Sequence, residues 1–168
     1  MKRLSIFGLF AIAAIGATSF SDDGKAQQRL TKDQLVGTWA LVSCTGANGG
    51  TPAFCVNPNG RMILGSDGRY MYSIAARGRP KCSGACGRAQ MSSDQYKAAA
   101  QGFVSNFGNW SFNEADQILT ANIEAALFPA AEGTDAKGRM SLVGDELHVT
   151  YQGDGGGPGR TDVWRRAR

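Results

Sequence analysis

From residue 36 onward, hydrophobic and polar residues alternate with a period of two, the pattern of half-buried β-strands. Asp67-Gly68 and Gly144-Asp145 separate pairs of such segments and are typical of tight hairpin turns. A different segment opens with Ser92-x-x-Gln95, a helix-capping box, and continues with apolar residues at helical spacing. The pattern therefore predicts one helix at about 92–104 and eight strands at 36–44, 60–65, 69–75, 109–113, 117–127, 138–143, 146–152 and 160–166.

Short links rather than long crossovers connect most of the predicted strands. Such a succession favours a closed, antiparallel, up-and-down barrel, because closure leaves no unpaired strand edge exposed. A two-sheet sandwich is the alternative architecture for strands of this length. We predict an all-β fold, an eight-stranded antiparallel barrel with one short helix between its third and fourth strands.

The start of the chain has a different character. Lys2 and Arg3 precede the uncharged run LSIFGLFAIAAIGATSF, and small residues lie around Ser19. This arrangement describes a secretory signal peptide, and the run is at the short edge for the alternative, a retained membrane anchor. We predict a signal peptide at 1–19, a flexible segment at 20–34 and one barrel domain at 35–168. The mature chain is expected to be periplasmic or secreted, without a stable membrane anchor.

Loss of the signal peptide also changes the charge balance. The full chain has 18 Lys and Arg against 14 Asp and Glu, and losing Lys2 and Arg3 leaves 16 basic residues against the same 14. A surplus of two is ordinary for a small domain. No basic run with interleaved aromatic residues is present either, so the sequence predicts no nucleic-acid partner. It leaves the oligomeric state open.

Four cysteines, Cys44, Cys55, Cys82 and Cys86, become informative once export is expected. An even number in an oxidising compartment favours disulfides. Of the three possible pairings we favour Cys44–Cys55 and Cys82–Cys86, since each pair brackets a loop rich in glycine and proline, although the sequence does not decide between pairings. A zinc site is the alternative, but the chain has a single histidine and does not repeat the C-x3-C spacing. We predict no metal.

Four motifs in order resemble the bacterial lipocalin-like domain family. They are LVGTWALVS at 35–43, NPNGRMILGSDGRYMYSI at 57–74, a helix with Tyr96 leading into NFGNWSF at 106–112, and DVWRR at 162–166. The resemblance spans about residues 35–166, essentially the whole predicted mature chain. It implies an eight-stranded barrel with an internal cavity and a helix at one end. The family has no well-defined catalytic signature.

The resemblance also implies how one end of the barrel closes. The tryptophan of the G-x-W motif, here Trp39, is expected to close that end, with an arginine of the last strand stacked across it. Trp164 and Arg166 share one face of that strand, so Arg166 is the stacking candidate. Gly37 would let the chain turn in beneath the barrel without a side chain in the way.

Alternation on the predicted strands brings aromatic, aliphatic and small side chains to one face. Small residues such as Ala121 leave room for a modest apolar cavity, and a barrel of eight strands can hold one small ligand. Asn122 and Arg139 lie on the opposite, polar faces of their strands and could orient a ligand or meet an anionic group. The candidates for lining the cavity are Tyr70, Tyr72, Trp110, Phe112, Ala121, Asn122, Arg139, Met140 and Tyr151.

No Ser-His-Asp order, H-E-x-x-H motif or pair of carboxylates can be placed in one site, so we predict no catalytic residue and no cofactor. The leading hypothesis is a barrel that binds a small, largely apolar molecule without transforming it. One alternative is an enzyme of the isomerase or cyclase type that acts by confining the shape of its substrate. Another is a filled barrel that acts as an interaction domain through loops 45–58 and 76–91. A cavity above roughly 300 Å³ would favour binding or catalysis, and a packed interior the interaction domain.

Overall fold

The computed structural model of the protein describes residues 29–47, 50–81, 90–152 and 159–168. In these ranges eight antiparallel strands follow one another around a closed barrel, and β1 also pairs with β8 to complete it. This confirms the predicted eight-stranded antiparallel architecture. The strands are β1 (Gly37–Gly46), β2 (Pro58–Leu64), β3 (Arg69–Ala76), β4 (Phe103–Asn113), β5 (Ile118–Ala126), β6 (Asp135–Val143), β7 (Glu146–Tyr151) and β8 (Arg160–Arg166).

The helix between β3 and β4 is shorter than predicted. Helix α2 spans Ser93–Gln101 and begins with the predicted capping box, in which the Ser92 hydroxyl accepts a hydrogen bond from the Gln95 amide. Phe103 and Val104, predicted as the end of the helix, instead begin β4 and pair with β3. A strand that already has a partner gains ladder hydrogen bonds at these positions, so tertiary pairing overrides the local helical pattern.

A second short helix, α1 (Lys32–Leu35), closes one end of the barrel. Leu35 is fully buried, and Leu30 is 2 % exposed although it lies in the segment predicted to be flexible. The Leu30 backbone exchanges hydrogen bonds with the Gln117 side chain, at 2.8 and 3.0 Å, which fixes the chain against the turn before β5. Residues 29–34 are therefore held against the barrel. The rest of that segment and the predicted signal peptide lie outside the described residues.

β1 contains a bulge that reverses the direction of its side chains. Its register against β8 shifts between Leu41 and Ser43, and Val42 is 46 % exposed on the outside. Strict alternation would send Trp39 and Cys44 to opposite faces, because they are five residues apart. The extra residue of the bulge lets both be buried. Because Cys44 is turned inward, it can form a disulfide with Cys55, which lies over the other end of the barrel.

The opposite end, called here the mouth, carries the longer connections. Residues Ala53–Cys55 form a short 3-10 turn, the rim turn, which is joined to β1 by the Cys44–Cys55 disulfide. Helix α2 also lies on the mouth side, at the start of β4. Within the described ranges, no helix is long and apolar enough to cross a membrane.

Candidate functional site

An ion pair lies inside the barrel, at the mouth end of β8. Arg160 donates from Nε to both carboxylate oxygens of Asp162, at 3.0 and 3.2 Å. The Tyr72 hydroxyl, reaching in from β3, donates to Asp162 Oδ2 at 3.1 Å and accepts from Arg160 Nη2 at 2.7 Å. Asp162 is fully buried, and the Arg160 side chain is 19 % exposed. Mutual hydrogen bonding of this kind is what makes a buried charge tolerable.

Aromatic rings surround the Arg160 guanidinium. Its carbon lies 4.2 Å from the centroid of Tyr151, 5.6 Å from Tyr72 and 5.5 Å from Phe54. The negative ring faces stabilise the cation where little water reaches it. Phe54 belongs to the rim turn, so a residue tethered by the disulfide reaches the interior cation at the mouth.

Burial sets the protonation of this cluster. Removal from water raises the pKa of the Asp162 carboxyl, and the opposing effect of Arg160 does not fully cancel the rise. Burial likewise raises the pKa values of Tyr72 and Tyr151, which stay protonated. Burial by itself lowers the pKa of Arg160, but Tyr72, Tyr151 and Asp162 raise it above its ordinary value. The guanidinium is therefore a permanent cation inside the barrel.

Next to the ion pair is an interior cavity of about 50 Å³. The Tyr70 hydroxyl is buried and has no hydrogen-bond partner among the described residues. Burial, followed by the charge of Glu124, raises the pKa of Tyr70 to about 12. Side chains from β2 to β8 line the cavity, and they are Met62, Leu64, Tyr70, Tyr72, Asn106, Leu119, Ala121, Ala136, Tyr151 and Arg160.

The structure brings four of the nine predicted cavity residues together at this cavity: Tyr70, Tyr72, Ala121 and Tyr151. Met140 is buried elsewhere in the core. Trp110 is buried near the closed end, where its indole N–H donates to the Gly65 carbonyl at 2.9 Å, and Phe112 packs on the core farther along the same strand.

Asn122 and Arg139 do not line the interior, contrary to the role suggested for them from the sequence. Both are exposed. Asn122 donates to Asp135 at 3.1 Å, and Arg139 donates to the Asp116 carbonyl at 2.8 Å. Their strand neighbours Ala121 and Met140 point inward, and alternation leaves Asn122 and Arg139 outside.

Three of the four residues suggested for barrel closure, Gly37, Trp39 and Arg166, lie together at the closed end. The Arg166 guanidinium carbon is 4.5 Å from the centroid of Trp39, and Arg166 also donates to the carbonyls of Val36 and Gln34. Gly37 has a φ of +136°, and a Cβ there would lie 2.5 Å from Arg166 Nη1. Trp164 is fully buried farther inside, with its ring 5.7 Å from that of Tyr72.

The sequence reasoning missed Arg160 and Asp162. A signal was available, because Arg160 and Asp162 lie on the same face of the predicted last strand as Trp164 and Arg166, the two residues suggested for barrel closure. Charged residues are rarely fully buried unless they are paired, so their inward direction was not inferred. The pairing depends on Tyr72, which lies 90 residues from Asp162 along the chain.

The Cys44–Cys55 disulfide is present, with its Cα atoms 5.3 Å apart. Cys82 and Cys86 lie outside the described residues. Among the residues that are described, no group of three or more His, Cys, Asp or Glu side chains could hold a metal ion.

The fold and its interior define a small, closed up-and-down β-barrel with an apolar core around one ion pair. The family model of the lipocalin-like domain matches residues 36–165, and the chain belongs to this family. A crystal structure of an asparagine-to-alanine mutant of the fluorescent protein UnaG is 14 % identical, with a TM-score of 0.38, over 82 % of this chain and 99 % of that one. A similarity this weak carries no functional information. No curated protein sequence matches the chain.

Proposed function

We propose that the protein is exported and holds one small, largely apolar molecule inside its barrel without transforming it. The observation that carries the proposal is the interior cavity, which aliphatic and aromatic side chains line together with Tyr70, whose buried hydroxyl has no hydrogen-bond partner among the residues that the structure describes. An apolar wall with a few convergent polar groups is the usual composition of a small-molecule site. Membership of the lipocalin-like family is consistent with this role.

The size of the cavity determines how a ligand would enter. At about 50 Å³ it is far smaller than the roughly 300 Å³ of an ordinary ligand pocket. A ligand with several carbon atoms must therefore displace side chains at the mouth. Phe54 is the best placed of these, because it lies over Arg160 on a turn of only three residues. Binding on this proposal is accompanied by outward movement of the rim turn.

The neutral fluorophore N-phenyl-1-naphthylamine tests interior binding, because its emission rises when it leaves water. We expect saturable binding to the protein and a loss of at least about tenfold in affinity in Ala121→Phe, which fills the cavity. Asn122→Phe is the matched control, since it adds the same ring to the outside of the same strand. Equal binding by both variants, or none by the parent protein, would overturn the proposal.

The small cavity favours a second candidate, in which the barrel is filled and serves as an interaction domain through loops 45–58 and 76–91. The described part of the second loop carries Arg77, Arg79 and Lys81 close together. On this alternative the fluorophore does not enter the barrel, and Ala121→Phe changes nothing beyond stability.

Export is the other part of the proposal. A disulfide close to the barrel mouth fits an oxidising compartment, since thiols in the cytosol are kept reduced. The predicted signal peptide at 1–19 supports the same destination.

A further inference from the structure

Tyr70 lines the cavity and is only 6 % exposed, and its hydroxyl has no hydrogen-bond partner within the described part of the chain. The indole N–H of Trp164, in a residue that is fully buried, also has no partner among the described residues. Buried polar groups in native proteins are nearly always paired, with protein, water or a ligand. Of these two residues only Tyr70 lines the cavity, so a group bound there that accepts hydrogen bonds would satisfy the Tyr70 hydroxyl.

Arg160 adds a positive charge to the same cavity. Of the side chains that line it in the described structure, Arg160 alone is cationic. A guanidinium has five N–H groups. Arg160 uses one on Asp162 and one on Tyr72, and its guanidinium carbon lies 4.2 Å from the centroid of the Tyr151 ring. It therefore retains donors in the plane that suits a carboxylate.

We propose that the molecule held in the barrel carries a carboxylate or a similar oxyanion, which Arg160 and the Tyr70 hydroxyl bind inside the cavity while the apolar body extends along the lining. The inference rests on the proposed function, because it names the chemical class of the ligand of that same site. It places the charged end of the ligand within the barrel rather than in solvent at the mouth.

Asp162 determines the charge balance when an anion arrives. It is the resident counterion of Arg160, and a second negative charge close by would disfavour its ionised form. The groups facing Asp162 are Arg160 on its own strand, Tyr72 from β3 and Tyr151 from β7, while Cys44 opposite it on β1 is in the disulfide. None of these groups can become more positive to balance the negative charge of the ligand. Binding of the anion is therefore accompanied by uptake of a proton on Asp162, whose pKa burial already raises.

Competition with N-phenyl-1-naphthylamine tests the class of ligand. Decanoate and methyl decanoate have the same apolar chain and differ in charge. We expect decanoate to displace the fluorophore at a concentration at least about tenfold lower than methyl decanoate does. Above about pH 6, where decanoate itself stays ionised, its affinity should fall as the pH rises through the pKa that Asp162 has in the complex, and the affinity of the ester should not change.

Two variants test whether Arg160 and the Tyr70 hydroxyl cause the preference for decanoate over methyl decanoate. In Arg160→Gln the ratio of the two affinities should fall to near one. Tyr70→Phe removes a hydroxyl that has no partner in the described ranges, so the variant should fold normally and its preference for decanoate should be about threefold to tenfold smaller. Arg139→Gln is the matched control, since it removes one positive charge from the outer face and should leave the ratio unchanged.

The outcomes separate the two proposals. If the fluorophore binds inside but both competitors are equal, or if Arg139→Gln lowers the ratio as much as Arg160→Gln, the anion inference is overturned and interior binding stands. A decanoate affinity that does not vary with pH would overturn the proton uptake. If the fluorophore does not bind, or binds Ala121→Phe equally well, the proposed function fails and this inference fails with it.

Discussion

At the scale of single residues, two tyrosines on one strand have opposite surroundings. Tyr72 makes two hydrogen bonds inside the barrel, to Asp162 and from Arg160, whereas the Tyr70 hydroxyl makes none with any residue that the structure describes. Alternation along β3 brings both inward, because they are two residues apart. The sequence placed both on one face and suggested both as cavity residues. It could not distinguish them, since their partners come from β8.

The pair gives a prediction about stability. Tyr72→Phe should lower the free energy of unfolding by about 2 kcal/mol, because it removes hydrogen bonds to two charged groups that remain buried. Tyr70→Phe should leave stability unchanged or raise it by about 1 kcal/mol, because it removes an unpaired buried hydroxyl. Urea unfolding of the two variants and the parent protein measures both values. Equal losses in the two variants would show that Tyr70 also has a partner.

At the scale of elements, the rim turn and the bulge of β1 depend on each other. The bulge between Leu41 and Ser43 turns Cys44 inward, and Cys44 then holds the rim turn through Cys55. The cysteine pairing was predicted from the loop between the two residues. The bulge was not, because a run of alternating residues does not show where one extra residue enters the ladder.

Removal of this disulfide should destabilise the protein. Replacing Cys44 and Cys55 together by alanine should lower the free energy of unfolding by about 3 kcal/mol, since the bond closes a short loop and restricts the unfolded chain. Comparing urea unfolding midpoints with the parent protein measures the loss. Val56→Ala is the control, because Val56 follows the rim turn but is 55 % exposed. A loss as small as that of the control would contradict the structural role of the bond.

At the scale of the whole molecule, the first and the last strand of the barrel are neighbours. β1 pairs with β8, and the Arg166 guanidinium stacks on Trp39 at the closed end. Barrel closure thus joins residues 127 positions apart along the chain, counted from 39 to 166. The order of the sequence motifs was sufficient to predict an eight-stranded barrel. The volume inside was not predictable, because it depends on how Tyr72, Tyr151 and Arg160 pack against each other across different strands.

Signal-peptide cleavage and disulfide formation also concern the whole molecule. We expect the protein purified from its own host to begin at Phe20 and to have Cys44 and Cys55 protected from thiol labelling under denaturing conditions. Intact mass before and after labelling measures both. Cleavage there leaves ten residues before Leu30, which is buried against the barrel. A full-length mass, or labelling of both cysteines, would contradict export.

The sequence by itself determined the approximate strands and their order, because these follow from local alternation and from turn residues, and it favoured a closed barrel over a sandwich. It left open which face of each strand points inward. Only the tertiary structure decided that Asn122 and Arg139 stay outside, that Phe103 and Val104 leave the helix, and that a charged pair lies inside. Burial of a charge depends on partners from distant strands, and a pattern read along one strand contains no information about them. The chemistry of the interior, including the anion site we propose, therefore became visible only when β3, β7 and β8 were seen together.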